Sequence, residues 1–290
     1  MTGTENRVLV AVGPEGVHGG ALTFAAEEAT RRGTGIELLH VVRTRVTGGD
    51  GLEHLQALDS SLTESGRRAL TAAAERLRDL VEDEVPVATE IRSGPVVSSI
   101  VDRAAVGDLV VLERRDVGTV ERLLTMSVST RVAAHAHVPV AVVPQSWVPH
   151  PVLERPVVVG VDSSTDPLGQ VREALAYAEL AHLPLEVLHA TWLAEPWQDL
   201  AFGNDTRAQW IREAERELDK ALAEVAGGPV PVTRDVQWRR PVDALAGATR
   251  RAAVVVLNRR HERGLAPHLG ATTRTVLRYA ECPVLVVDRD

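Results

Sequence analysis

Two segments of the chain combine residue types suited to holding an anion. GPEGVHGG (13–20) follows the run RVLVAV, and DSSTDP (162–167) follows VVVGV. Gly13, Gly16 and Gly19 suit either a loop that brings backbone amides up to a phosphate ahead of a helix or a tight turn. Their spacing is not the G-x-G-x-x-G of dinucleotide sites. Asp162 at a strand end is placed to accept hydrogen bonds from a ribose or an adenine, while Ser163, Ser164 and Asp166 are expected to cap the next helix. The pairs Arg114-Arg115 and Arg259-Arg260 suit either a sideways grip on phosphate oxygens or a solvated loop whose stems pack. His40 and His189 occupy matching places, which points to structural hydrogen bonding rather than catalysis. His135 and His137 lack a third ligand nearby for a metal. Trp192, Trp197, Trp210 and Trp238 all fall in the second half and suit an apolar cover, a partner patch or ordinary packing. No nucleophile elbow, Walker A or zincin motif occurs, and the expectation is a protein that is not an enzyme.

The elements that must position these residues occur twice. RVLVAVG (7–13) is answered by RPVVVGVD (155–162), LLHVV by EVLHAT, DLVVLERR by AAVVVLNRR, and HVPVAVVPQ by ECPVLVVDRD. The offset drifts only from 149 to 144 residues along the chain, the mark of a tandem duplication. Expected boundaries are a first domain over 1–145, a Pro-rich linker over 146–155 and a second domain over 156–290. In each half, short Val-rich runs alternate with patterns of helical period. Several runs are apolar throughout, as in parallel strands covered on both faces. The fold class is therefore α/β: two tandem doubly wound domains, each with a five-stranded parallel sheet. Helices are predicted over 21–32, 65–84, 96–105 and 127–136 of the first half. Residues 43–60 and 191–205 read as long loops after the second strand of each half, where loops often cover a site.

Composition narrows the function classes. The net charge of −8 argues against sequence-independent binding to nucleic acid or anionic membrane. No apolar run reaches membrane-spanning length, and the start of the chain lacks a signal-peptide pattern, so a cytoplasmic location is expected. The single Cys282 excludes an internal disulfide and a cysteine-based zinc site. Aromatic residues are 3% of the chain, so the core must be built from Val, Leu and Ala.

Taken in order, a first strand ending V-x-V-D-x-S, a second strand LHV or LHA, the S-V-S-x-R-V segment (127–132) and a last strand begun by C-P-V-L-V-V resemble the universal stress protein family. The resemblance covers nearly the whole chain, twice. It implies paired domains joined through their last strands, within one chain or between two in a homodimer, and contact with an unidentified protein partner. Nucleotide-binding members of the family carry G-x2-G-x9-G-[S/T] after strand four, whose glycines let amides wrap a triphosphate. Laid on this sequence, the first two glycines fall on Leu112 and Arg115, and the third falls on Met126 with one residue to spare, followed by Ser127. In the second copy they fall on Leu257, Arg260 and Gly270, with Ala271 at the hydroxyl position and Thr272 next. Gly13 stands where relatives carry Asp, and leucine at the first glycine position is expected to fill ligand space. The resemblance sets Asp162, Val161, Ala190, Gly270 and Thr272 against a nucleotide in the second copy, and Ser127 and Val41 in the first. Its implied cofactor is ATP or none. The leading expectation is a non-enzymatic stress-response protein with a degraded nucleotide site in both copies; the alternative is ATP binding, with weak hydrolysis, mainly in the second.

Overall fold

A computed structural model describes residues 7–43, 52–81, 85–115, 122–149, 155–162, 168–192, 204–225, 227–259 and 268–288; for 52–59, 122–127 and 204–206 it describes the backbone alone. The chain divides into two compact units, Met1–His150 and Pro151–Asp290.

Unit 1 runs β1 (Arg7–Ala11), α1 (Gly19–Arg32), β2 (Gly35–Val42), α2 (Leu52–Arg78), β3 (Val87–Ser93), α3 (Val96–Ala104), β4 (Leu109–Arg114), α4 (Arg122–His135) and β5 (Val140–Pro144). Its sheet order is β3-β2-β1-β4-β5, and all four pairings are parallel. Unit 2 runs β6 (Val157–Val161), α5 (Leu168–Ala181), β7 (Leu185–Thr191), α6 (Asn204–Ala223), β8 (Val232–Trp238), α7 (Pro241–Ala248), β9 (Val254–Asn258), α8 (Ala271–Tyr279) and β10 (Val284–Val287). Its order is β8-β7-β6-β9-β10, again parallel throughout. Five strands per copy and the doubly wound order agree with the sequence reading.

The core is aliphatic, as the low aromatic content requires. Val8, Val10, Leu38, Val110 and Val111 in unit 1, and Val157, Val158, Val159, Val187 and Val256 in unit 2, are wholly buried. Central strands read as continuous Val runs because helices cover both faces. Phe24 on α1 meets Trp147 edge to face at 5.8 Å. Gly20 is required where α1 crosses the segment after β5, because a Cβ there would lie 2.6 Å from the Trp147 carbonyl oxygen.

Each unit carries an acid–arginine cluster in the same place. Glu37 on β2 is buried and binds Arg7 (2.6 Å) and Arg103 of α3, whose Nε also reaches Glu90 on β3 at 2.8 Å. In unit 2, Arg251 binds Glu186 of β7 at 2.6 Å and Asp235 of β8 at 3.1 Å. Both clusters tie the two outer strands to the arginine that follows or ends a short helix.

Both long loops differ from their expected extents: of 191–205, Thr191 ends β7 and residues 204–205 begin α6. Residues 52–60, read as part of a loop over 43–60, belong to α2. Asp59, Ser60 and Ser61 are weak helix formers, yet the helix runs through them. Residues 44–51 and 193–203 of the two expected loops lie outside the described residues. Helix α4 likewise begins at Arg122 rather than 127.

Candidate functional site

In parallel α/β units the helices run back across the sheet, so their amino ends and the carboxyl ends of the strands gather on one edge. In unit 1 that edge holds the segment from Val12 to His18, the end of β2, and the end of β4. Ala11 is level with Leu39 and with Leu112.

The glycine-rich segment of unit 1 is a tight turn. Gly16 N–H donates to the Gly13 carbonyl at 3.0 Å, and Gly16 takes φ +91°, which a side chain disfavours. Arg115 lies against this turn: a Cβ on Gly13 would stand 3.1 Å from its Nη2. Its Nη1 pairs with Glu15 at 2.8 Å. The place from which an aspartate at position 13 would project is thus occupied by a guanidinium already paired to its own loop.

Leu112 does not fill ligand space as expected. It lies within β4 and is 4% exposed, part of the sheet's own packing. Leu257 is its counterpart in β9, and a Cβ on Gly160 would lie 3.2 Å from its Cδ2. The next residues are Glu113, the last but one of β4, and Asn258, the last of β9. Counted from Glu113, the family spacing lands on Asp116 and Met126 with no extra residue. Counted from Asn258 in the second copy it lands on His261 and Ala271 rather than Gly270, so the spacing sets no single register for both copies, and Glu113 was not singled out in the sequence. The Glu113 carboxylate reaches His18 at the start of α1: Oε2 accepts the backbone N–H at 2.5 Å and Oε1 stands 2.9 Å from Nδ1.

The histidines at the strand ends serve structure, as their matched positions suggested. His40 Nδ1 donates to the Val12 carbonyl at 2.8 Å, and His189 Nδ1 faces the Val161 carbonyl at 3.3 Å. Both rings are buried and tie the end of the second strand to that of the first. Helix α2 passes so close that only a glycine fits at position 66, where a Cβ would lie 2.7 Å from His40 Nε2. Val41, next along β2, is half-buried and level with Arg92. Ser127 belongs to α4, and its side chain lies outside the described residues.

Unit 2 presents a different edge. Asp162 is exposed just past β6, Val161 is level with His189, and Ala190 follows on β7, so these three collect at adjacent strand ends. Gly270 is the N-cap of α8 and Thr272 lies half-buried in its first turn, which holds no acidic residue. Gly270 has φ −59°, so no left-handed backbone requires glycine there. The segments 163–167 and 260–267, with Ser163, Ser164, Asp166 and Arg260, lie outside the described residues. Gln170, which the sequence did not single out, donates to the Gly160 carbonyl at 2.5 Å.

The arginine pairs are neither phosphate clamps nor solvated loops where they are described. Arg259 is 1% exposed, with Nη1 2.7 Å from Asp288 and Nη2 donating to the Val286 carbonyl at 3.3 Å. Burial pushes its pKa down, and the Asp288 carboxylate opposes that shift. Arg114, its counterpart, is half-buried, and Arg115 is bound to Glu15. Trp210 and Trp238 pack edge to face at 6.2 Å, with Trp210 half exposed. His135 bonds its own helix at the Arg131 carbonyl, 2.8 Å away, and among the described residues no cluster of metal-ligating side chains exists. No helix among them is long and apolar enough to cross a membrane.

Fold and site together define a tandem pair of doubly wound parallel α/β domains whose strand-end edges differ between the copies. The sequence profile of the Universal stress protein family matches residues 5–144 and again 154–288, and the chain belongs to that family. A universal stress protein of Mycobacterium tuberculosis is 29% identical over 295 residues, covering 92% of this chain and 90% of the relative. One from Mycolicibacterium smegmatis is 28% identical, covering 99% and 98%. Among solved structures, a universal stress protein from Archaeoglobus fulgidus aligns with a TM-score of 0.66 at 17% identity, covering 97% of this chain and 96% of that one. A putative universal stress protein from Pseudomonas aeruginosa aligns at 0.54 and 19%, covering 99% and 94%. At such identities the structural likeness speaks to the fold alone.

Proposed function

We propose that this chain is a non-enzymatic stress-response protein of the cytoplasm that acts through its conformation and its contacts with a protein partner, and that its first copy no longer binds nucleotide. The observation that carries the reading is the Arg115 guanidinium, which lies against Gly13 and is paired to Glu15 at 2.8 Å. A base or ribose entering there must displace an ion pair and finds no aspartate to bind. Pairing through the last strands, within one chain or between two in a homodimer, is part of the proposal; light scattering separates the monomer that the first expects from the dimer that the second expects.

A second reading keeps an adenine nucleotide in unit 2, with ATP as the cofactor and weak hydrolysis as its limit. It is favoured by Asp162, exposed at a strand end, and by the α8 amino end at Gly270 and Thr272, where no acidic side chain stands in the first turn. Val161 and Ala190 supply backbone beside Asp162; in unit 1, Val41 and Ser127 are the matching candidates. Equilibrium dialysis with labelled ATP separates the readings. The second expects one equivalent per chain and a loss of about tenfold or more in affinity for Asp162→Ala, as for a hydrogen bond to a charged group. Stoichiometric binding that Asp162→Ala leaves unchanged argues against unit 2 as the site, and two equivalents per chain overturn the closed first copy.

A further inference from the structure

The amino end of α1 has no cap of its own. His18 stands at the N-cap without a side-chain cap bond, and the first turn holds no acidic residue. Such an end exposes peptide N–H groups and the positive pole of the helix dipole. It is nevertheless covered. Glu113, 95 residues further along, reaches from the end of β4 and accepts the His18 backbone N–H at 2.5 Å. Its other oxygen stands 2.9 Å from His18 Nδ1, and its side chain is only 7% exposed. A buried carboxylate that accepts a helix-terminal N–H stands where an external oxyanion would bind. The equivalent residue in unit 2 is the uncharged Asn258, also at its strand's end.

We propose that Glu113 is the resident anion of unit 1: its carboxylate excludes phosphate by occupying the amino end of α1, and removing that carboxylate opens the helix end to an external oxyanion. The inference rests on the closed-cleft reading of unit 1 and names the side chain that enforces it. A glycine or an alanine there would leave the helix end without that carboxylate; glutamate is long enough to reach the His18 N–H and carries the charge that the helix end favours.

The test uses the full chain with Glu113→Ala and Glu113→Ser. Each protein is titrated with inorganic phosphate, with ionic strength held by chloride, while the amide resonances of His18, Gly19 and Gly20 and the unfolding temperature of unit 1 are followed. The wild type is expected to show no saturable movement of these amides. Glu113→Ala is expected to show saturable shifts confined to them, with unfolding raised by about 3 °C near saturation. Glu113→Ser also removes the long acidic side chain and puts a short polar one in its place; it carries the test by the same shifts if the alanine variant does not fold. Folded variants whose amides ignore phosphate overturn the proposal, as does a wild type that binds phosphate as tightly as the variants. Failure of the closed-cleft reading looks different: ATP itself would then shift the Val12 and Val41 amides of the wild type.

Discussion

Replacing Gly66 by alanine sets two local rules against each other. In a helix interior alanine is preferred to glycine by about 1 kcal/mol, so propensity alone predicts a more stable protein. Packing predicts the reverse. A Cβ at Gly66 would fall on the edge of the His40 ring, 2.7 Å from Nε2. The ring has little room to yield, since it is 5% exposed and its Nδ1 is held by the Val12 carbonyl at 2.8 Å. Overpacking of this kind costs about 1–3 kcal/mol, and pulling the ring off its buried acceptor adds about 1 kcal/mol. Gly66→Ala is therefore expected to destabilise unit 1 by about 1–3 kcal/mol, after the propensity gain of about 1 kcal/mol is subtracted. The unfolding temperature should fall by about 2–4 °C for each kcal/mol. In a His40→Ala background the obstacle is gone, and the same change should stabilise by up to about 1 kcal/mol. Urea unfolding of the four proteins gives the coupling directly. A Gly66→Ala protein more stable than wild type, or one whose effect is the same in both backgrounds, refutes the reasoning.

The Glu90 carboxyl is subject to burial that raises its pKa, but hydrogen bonds within the Arg92, Glu37 and Arg103 cluster outweigh that and hold it down to about 2. A depressed carboxylate contributes stability above its unfolded pKa that is lost as pH falls through the folded one. Arg103→Met should thus cost unit 1 about 1–2 kcal/mol near neutrality after allowance for solvent screening, and pH-dependent unfolding should show that gap closing between about pH 4 and pH 2. In unit 2, Asp288→Ala leaves the Arg259 guanidinium buried without its carboxylate and should cost about 3 kcal/mol, whereas the double change with Arg259→Met should recover most of it; denaturant midpoints that fall equally for both variants contradict this account.

Much of the architecture was legible because the strands are so uniform. Runs such as VVVGV and VLVV have few other ways to be buried, and the repeat allowed each copy to confirm the other's order. The start of α2 was not legible: residues 52–60 were read as loop, and nothing local reveals the sheet against which the helix packs. The site divided in the same way. His40 and His189 were placed correctly because position in a repeat is a local fact. Glu113 was missed because its meaning depends on His18, 95 residues away. One signal pointed to it: the α1 start GVHGG offers no Ser, Thr, Asp or Asn as a cap. Arg259 was misread for a related reason, since a charged pair in sequence looks solvated until Asp288 is seen beside it.

The strand order has a consequence for how the chain is made. In each unit the first strand lies at the middle of the sheet, and its second neighbour arrives late: Val8 pairs with Leu109, and Val157 with Val254, across about a hundred residues. Neither sheet centre can close until most of its unit has left the ribosome, and such distant pairings are slow to find. All five strands of unit 1 end by Pro144, before β6 begins at Val157. The duplication therefore spaces two slow closures in time, so that the first unit can complete its sheet while the second is still being synthesised.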